Sequence, residues 1–571
     1  MDPILRSKAE KWLSPAFDSE TRDAVQHLMD HDPAGLEDAF YKDLEFGTGG
    51  LRGVMGAGSN RINRYTIGMA TQGLANYLRA SFGPGHHKVA IAHDSRINSP
   101  FFARTTAEVF SANGFEVYLF DGLRPTPELS FTLRHLGCKA GVVITASHNP
   151  KEYNGYKVYW EDGGQLVPPH DRNVIEKVRQ IQSVEEVKFD ANEALIHSIG
   201  KVLDKAYLDR VVGLSFRQGK SNLKIVYTSL HGTGIQSIPE ALQRMGFESV
   251  SIVEAQATPD GNFPTVASPN PEENSAMEMA LDQAKAEGAD IVLGTDPDSD
   301  RVGIGVRNPE GELVLLNGNQ AGSLLVDYLL QQWKANNRLK GKEFVAKTVV
   351  TSDLISRIAA SYQVPCPETL TGFKYIAELI QKEEGKRAFI GGGEESYGYL
   401  AGDFVRDKDA VISSVMLCEA AAHAAEKNSS LFERLLELYQ THGYYQEKLV
   451  SFTKKGKTGA EAIAQLMERF RNTPPTTLGG SAVVAIRDFK SSTEMNTTTG
   501  TNSPISLPGS NVMQFITADG SKITARPSGT EPKIKFYFSV VGKLETKKEF
   551  PQEQARLLSR IDSIIEELEL G

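Results

Sequence analysis

The chain has 571 residues, 40% hydrophobic and 23% charged, which is ordinary globular composition for about three to five domains. Lys and Arg number 62 against 72 Asp and Glu, a formal charge of −10; this argues against a general nucleic-acid or anionic-membrane binder, yet a few local cations could still grip a phosphate. Cys138, Cys366 and Cys418 have neither disulfide nor zinc spacing, the start lacks a signal-peptide pattern and no run of about 18 apolar residues suggests a membrane span, so a reduced, cytoplasmic protein is expected.

Residues 4–13 read as an amphipathic helix, followed by a glycine-rich turn at 46–53. Then one unit recurs: a short apolar run, a polar loop, a helical stretch. The runs at 88–93, 117–120, 141–144, 223–227, 290–294 and 387–391 are short, β-branched and not alternating. That suits strands buried on both faces of a mixed or parallel sheet with helices packed around it. The pattern fills three blocks, 1–205, 206–317 and 318–441, and predicts three similar α/β domains. Block 442–571 differs. Runs 512–517 and 521–525 flank Asp519-Gly520 as a hairpin, 534–538 is a further strand and 549–568 a final helix. A smaller α+β domain is expected there, with the polar stretch 491–503 as a mobile loop.

Four loops carry residues suited to chemistry. Thr145-Ala146-Ser147-His148-Asn149-Pro150 follows the run ending at Ile144, which places Ser147 at the carboxyl edge of a sheet. A serine beside a histidine can be a nucleophile, although the same residues suit a plain turn. Thr145 and Asn149 stand where a hydrolase elbow has glycines, against a serine hydrolase. The second loop, 294–301, offers Asp296, Asp298 and Asp300 at alternate positions, able to converge on a hard cation. An EF-hand would need Gly where Arg301 stands and Glu where Arg307 stands, so the set suits Mg²⁺ better than Ca²⁺; the bland alternative is a solvated acidic turn.

In the third loop, 391–398, Glu394 and Ser396 alternate and could hydrogen-bond sugar hydroxyls from one pocket, while a flexible glycine turn fits as well. The mixed-sign run Arg406-Asp407-Lys408-Asp409 reads by itself as a solvated face. In the fourth loop, Gly529 would let amides turn toward an anion, Ser528 and Thr530 add hydroxyls and Arg526 can hold phosphate through two bonds; a hairpin turn competes with this reading. Gly219-Lys220-Ser221 and Gly456-Lys457-Thr458 resemble the end of a P-loop, but its first glycine would fall at Leu214 and Ser451.

In this order, the four loops resemble those of the α-D-phosphohexomutase superfamily. Thr371-Gly372-Phe373-Lys374-Tyr375 and Glu531-Pro532-Lys533 are similar to the branch holding bacterial phosphoglucomutases and animal phosphopentomutase-like enzymes. The resemblance implies four domains in a heart-like arrangement and a phosphoserine at Ser147. It implies one Mg²⁺ held by Asp296, Asp298, Asp300 and a phosphate oxygen on Ser147, with Arg301 beside it. Glu394 and Ser396 would hold sugar hydroxyls, Thr371, Gly372 and Lys374 would line the substrate site, and Arg526, Ser528, Gly529 and Thr530 would hold the phosphate that is not transferring. Arg52, His148, Lys157 and Lys408 match residues that assist with charge or protons.

The expected reaction interconverts glucose 1-phosphate and glucose 6-phosphate through glucose 1,6-bisphosphate, which would also act as activator. Mannose or pentose phosphates are alternatives, and a sugar-bisphosphate synthase is a more remote one. An aspartyl-nucleophile phosphatase using Asp296 and Asp298, or a phosphosugar-binding protein without activity, are rivals of other classes. The expected partner is a small phosphosugar, with neither nucleic acid nor membrane.

Overall fold

The computed structural model describes residues 3–47, 49–453, 456–528 and 533–570, with the side chains of 456–458 excepted. Three sheets form successively along the chain. In the first, Lys88–His93 lies between Glu116–Phe120 and Ala140–Ile144, all parallel, and Tyr153–Trp160 runs antiparallel along the far side of Ala140–Ile144. Gly50–Val54 and Ile196–Ile199 extend its two edges.

The second sheet repeats that order. Ser221–Thr228 lies between parallel Phe247–Ile252 and Ile291–Thr295, and Val302–Arg307 returns antiparallel beside Ile291–Thr295. The third does so again with Glu343–Thr348, Glu368–Thr369, Ala388–Gly393 and antiparallel Tyr399–Ala401. The central strands are buried along nearly their whole length, as their unbroken apolar runs require.

This repetition sets the positions of three of the four loops. Residues 145–152, 296–301 and 394–398 each join the third strand of the repeated four-strand unit to its antiparallel neighbour. Each loop contains a non-glycine residue in the left-handed region: Ser147 at φ 54°, Ser299 at φ 53° and Tyr397 at φ 64°. Such a conformation costs about 1–3 kcal/mol and persists where surrounding structure holds it.

The fourth block forms a sheet of eight strands, covered by helix Phe550–Glu567. Met513–Thr517 and Lys522–Pro527 form the expected hairpin, and Lys533–Gly542 pairs with Tyr444–Thr453. The polar stretch predicted as a mobile loop is instead ordered. Thr493–Asn496 pairs with Ala485–Asp488 on one side and Asn502–Pro504 on the other. Asn496 Oδ1 accepts from the Thr498 and Thr499 amides at 3.0 and 3.1 Å, and Gly500 takes φ 70° to complete the turn. Backbone pairing at a sheet edge, with Met495 packed against the core, therefore orders this mainly polar stretch.

One large apolar core takes in the second, third and fourth blocks together with Phe131 of the first, whereas most of the first block packs into smaller cores of its own. Polar contacts tie the fourth block to the third: Gln514 Nε2 donates to Val349 O at 2.7 Å and Lys522 Nζ to Asp353 Oδ1 at 2.9 Å. Among the described residues, no helix is long and apolar enough to cross a membrane.

Candidate active site

Ser147 sits three residues beyond the end of buried strand Ala140–Ile144. Its amide donates to Thr145 Oγ1 at 2.8 Å, which tightens the turn. Arg96 then fixes the loop from beneath. Its guanidinium donates to Ser147 O at 2.6 Å, Pro150 O at 2.9 Å and Tyr153 O at 3.0 Å, and also to Asn149 O. Arg96 is only 1% exposed, with Asp94 3.4 Å away as counter-ion. Sequence reading missed Arg96, although Asp94-Ser95-Arg96 directly follows the strand run 88–93 and so lies at the same carboxyl edge as Ser147.

Ser147 Oγ donates to Asp296 Oδ2 at 2.7 Å, across the boundary between the first two blocks. His148 Nδ1 lies 3.1 Å from Ser147 Oγ. Burial, and then the charges of Arg301 and Arg52, hold the His148 imidazole well below its usual pKa, so the ring is neutral near pH 7. Arg52 Nη1 donates to Asn149 Oδ1 at 3.2 Å and frames the same loop.

Asp296, Asp298 and Asp300 are buried, and one carboxylate oxygen from each lies within 4.8 Å of the other two. Asp296 Oδ1 accepts the amides of Asp300 and Arg301 at 3.1 and 3.0 Å. Asp298 Oδ2 accepts from Thr126 Oγ1 at 2.8 Å and Lys157 Nζ at 2.6 Å. Asp300 Oδ2 takes Lys157 Nζ at 2.9 Å and Lys408 Nζ at 2.7 Å. This leaves Asp298 Oδ1 and Asp300 Oδ1 buried with no hydrogen-bond partner. Two orphaned carboxylate oxygens beside a third carboxylate fit a hard divalent cation, which takes oxygen ligands.

A second loop braces the first from behind. Thr233 N donates to Pro297 O at 2.8 Å, and Thr233 Oγ1 lies 2.9 Å from Ser299 Oγ. A Cβ on Gly232 would come within 2.4 Å of Pro297 Cα, so only glycine admits this close approach.

Lys157 and Lys408 are held as cations. Burial opposes their charge, but Asp298 and Asp300 beside Lys157, and Asp300 and Asp407 beside Lys408, raise both above the usual lysine value. Arg301 is likewise raised: burial opposes its charge, and its ion-pair partner Glu272, then Asp300, outweigh it. The run Arg406-Asp407-Lys408-Asp409, predicted from its mixed signs as a solvated face, is buried throughout. Partners from other blocks make that possible: Tyr159 OH donates to Asp407 Oδ2 at 2.7 Å and Tyr207 OH to Asp409 Oδ2 at 2.9 Å.

Glu394 lies on the equivalent loop of the third block. Its Oε1 accepts from the Gly372 amide at 2.8 Å, which joins the 371–374 turn to the 394–398 loop. Burial, then the neighbouring charge of Glu395, pushes Glu394 up to about 7. Glu395 Oε2 accepts from Thr351 Oγ1 at 3.0 Å. Thr371 and Ser396 are half-buried on these two loops. Lys374 is set apart: it lies 3.9 Å from Asp171 Oδ2 and lines a cavity of about 410 Å³ with Trp160 and His170, between the first and third blocks.

Arg526 Nη1 donates to Tyr537 OH at 3.3 Å, and its charge reaches Glu395. That puts the fourth-block loop beside the third-block loop. Ser528 is exposed at its end, while Gly529 and Thr530 lie outside the described residues. Ser147, His148, Arg52, Lys157, Lys408, Arg301 and the three aspartates thus form one cluster, bordered by Glu394 and, farther out, by Arg526.

Comparisons with known proteins agree with this layout. Family models for phosphoglucomutase/phosphomannomutase, alpha/beta/alpha domains I, II and III, match residues 43–185, 205–311 and 317–440. A curated phosphoglucomutase of Staphylococcus haemolyticus is 37% identical over 88% of this chain and 91% of its own length. One of Staphylococcus aureus is 38% identical over 93% of this chain and 95% of its own. A solved phosphoglucomutase/phosphomannomutase family protein of Burkholderia thailandensis superposes with TM-score 0.66 at 18% identity, over 92% of this chain and 98% of its own. The open form of parafusin, a Paramecium phosphoglucomutase, gives 0.64 at 17% over 91% and 94%. Together with the repeated sheet order and the clustered loops, these matches show that the chain belongs to the phosphoglucomutase/phosphomannomutase family.

Proposed function

We propose that this enzyme is a phosphoglucomutase that carries a phosphoryl group on Ser147 Oγ and exchanges it between O1 and O6 of glucose. The observation that carries the reading is Ser147 Oγ 2.7 Å from Asp296, within a buried three-carboxylate cluster flanked by fixed cations. The names of its curated relatives favour glucose over mannose or pentose phosphates.

In the first transfer, a sugar-phosphate hydroxyl attacks phosphorus on Ser147. The new sugar O–P bond forms as the Ser147 O–P bond breaks, and the hydroxyl proton leaves. The resulting glucose 1,6-bisphosphate turns over, its other phosphoryl group returns to Ser147 Oγ, and a proton is delivered to the sugar oxygen it leaves.

Asp296, Asp298 and Asp300 would hold Mg²⁺, which when bound neutralises charge on the phosphoryl oxygens. Lys157, Lys408 and Arg301 stay protonated and supply positive charge, while neutral His148 is placed to take a proton at Nδ1. Arg96 holds Ser147 in its left-handed conformation through both transfers. The aspartyl-nucleophile alternative fits less well. Asp296 Oδ2 already accepts from Ser147, and Asp298 Oδ2 is occupied by Thr126 and Lys157.

Arg526, with Ser528, Gly529 and Thr530, would grip the phosphate that is not reacting. A charge-assisted hydrogen bond is worth about 1.5–3 kcal/mol. Arg526→Ala should therefore raise KM for glucose 1-phosphate about tenfold or more and increase the need for added glucose 1,6-bisphosphate. Steady-state kinetics with and without the bisphosphate test this; an unchanged KM and bisphosphate requirement would return the loop to a plain turn.

Glu394 would accept hydrogen bonds from sugar hydroxyls as a carboxylate. Its raised value leaves it largely protonated below pH 7 and ionised above. Accordingly, kcat/KM should rise with pH through about 7, and Glu394→Gln should flatten that rise when both enzymes are assayed on the same substrate. A rise of the same height and midpoint in E394Q would assign the ionisation elsewhere.

A further inference from the structure

We infer that Thr126, in the first block, is a positioning residue for the metal site, turning Asp298 so that one oxygen is left for the cation. The inference rests on the metal reading above. Thr126 opens helix Thr126–Leu136 and is fully buried. It reaches across the block boundary twice: its amide donates to Asp298 O and its Oγ1 to Asp298 Oδ2, each at 2.8 Å. The amide is one of the donors that a helix start leaves unpaired, and here the metal loop itself satisfies it.

The hydroxyl has a different effect. Asp298 Oδ2 receives two donors, Thr126 Oγ1 and Lys157 Nζ, whereas Oδ1 is buried with no hydrogen-bond partner. A carboxylate pinned at one oxygen from two directions cannot rotate to exchange its oxygens, so Oδ1 stays aimed at the site. Lys157 alone would not fix that plane, because its long side chain follows the carboxylate and also serves Asp300. A short, fully packed threonine hydroxyl does not follow. Partners of this kind orient metal ligands, and losing one commonly weakens metal binding about 10–100-fold.

The test measures metal binding directly. Mn²⁺ is titrated into the full chain while free Mn²⁺ is followed by electron paramagnetic resonance, with Mg²⁺ as competitor. Wild type, Thr126→Val, Thr126→Ser and Asp298→Asn are compared, and thermal melting checks folding. T126V keeps the shape and the amide contact but loses the hydroxyl, so Mn²⁺ affinity should fall about tenfold or more; T126S keeps the hydroxyl and should stay within about twofold of wild type. If T126V does not fold, T126A against T126S isolates the same hydroxyl.

Affinity in T126V or T126A equal to wild type, with D298N weakened, would overturn the role of Thr126 and leave the metal reading intact. Equal weakening in T126S and its hydroxyl-free counterpart would also overturn it, since packing and not the hydroxyl would then matter. A wild-type protein that binds no Mn²⁺ would overturn the metal reading itself.

Discussion

Ser147→Ala is expected to abolish mutase turnover, with kcat lower by about 10⁴-fold or more, while the protein still folds. Loss of a covalent nucleophile removes the group that carries the phosphoryl between transfers, and no neighbouring hydroxyl takes its place within the loop. Folding should survive because the loop is held by main-chain contacts. Arg96 binds the carbonyls of Ser147, Asn149, Pro150 and Tyr153, and Thr145 Oγ1 binds the amide of residue 147. Alanine keeps every one of these. The left-handed strain at this position is equal for alanine and serine, so relief of strain does not mask the result. Activity near wild type would rule out the serine as carrier.

Asp298→Asn is expected to weaken Mg²⁺ binding by at least about tenfold, since losing even a partner that orients a ligand commonly costs about 10–100-fold, and to lower the rate at subsaturating metal by a similar factor. The substitution removes one negative charge from a site with two orphaned oxygens, and it also changes the balance around Lys157. An amide nitrogen at the Oδ2 position would face two donors, Thr126 Oγ1 and Lys157 Nζ, so the amide must turn its oxygen toward them. Its NH₂ then points to the position where Oδ1 would meet the cation. Rate against Mg²⁺ concentration measures the effect. Full activity of the wild type after thorough chelation would show that the aspartates serve structure alone.

These two residues stand out in the sequence as candidates because their loops hold unusual residue types at fixed spacing directly after strand runs. The three-block repeat was legible too, since strands buried on both faces read as short unbroken apolar runs. What was not legible depends on contacts between blocks. Arg406-Asp407-Lys408-Asp409 has the composition of a surface turn, and only Tyr159 and Tyr207 from the preceding blocks make its burial affordable. Thr126 lies in an ordinary helix start between two prolines, and its meaning comes from Asp298, 172 positions away. Arg96 is one of many arginines until the carbonyls of residues 147–153 are seen around it. The 491–503 stretch differs for another reason: its order comes largely from backbone pairing at a sheet edge, which leaves no mark in side-chain composition, with Met495 as its one apolar anchor.

The most direct test of the central claim follows the phosphate itself. The purified enzyme is charged with glucose 1,6-bisphosphate, its intact mass and phosphopeptides are measured, and it is then mixed with unlabelled glucose 1-phosphate in a single turnover. A phosphoserine carrier predicts one phosphate per chain, located on Ser147, that passes to the sugar within a turnover and appears in glucose 1,6-bisphosphate. A chain that carries no phosphate, carries it on Asp296, or keeps it on Ser147 while sugar phosphate is isomerised would contradict the account.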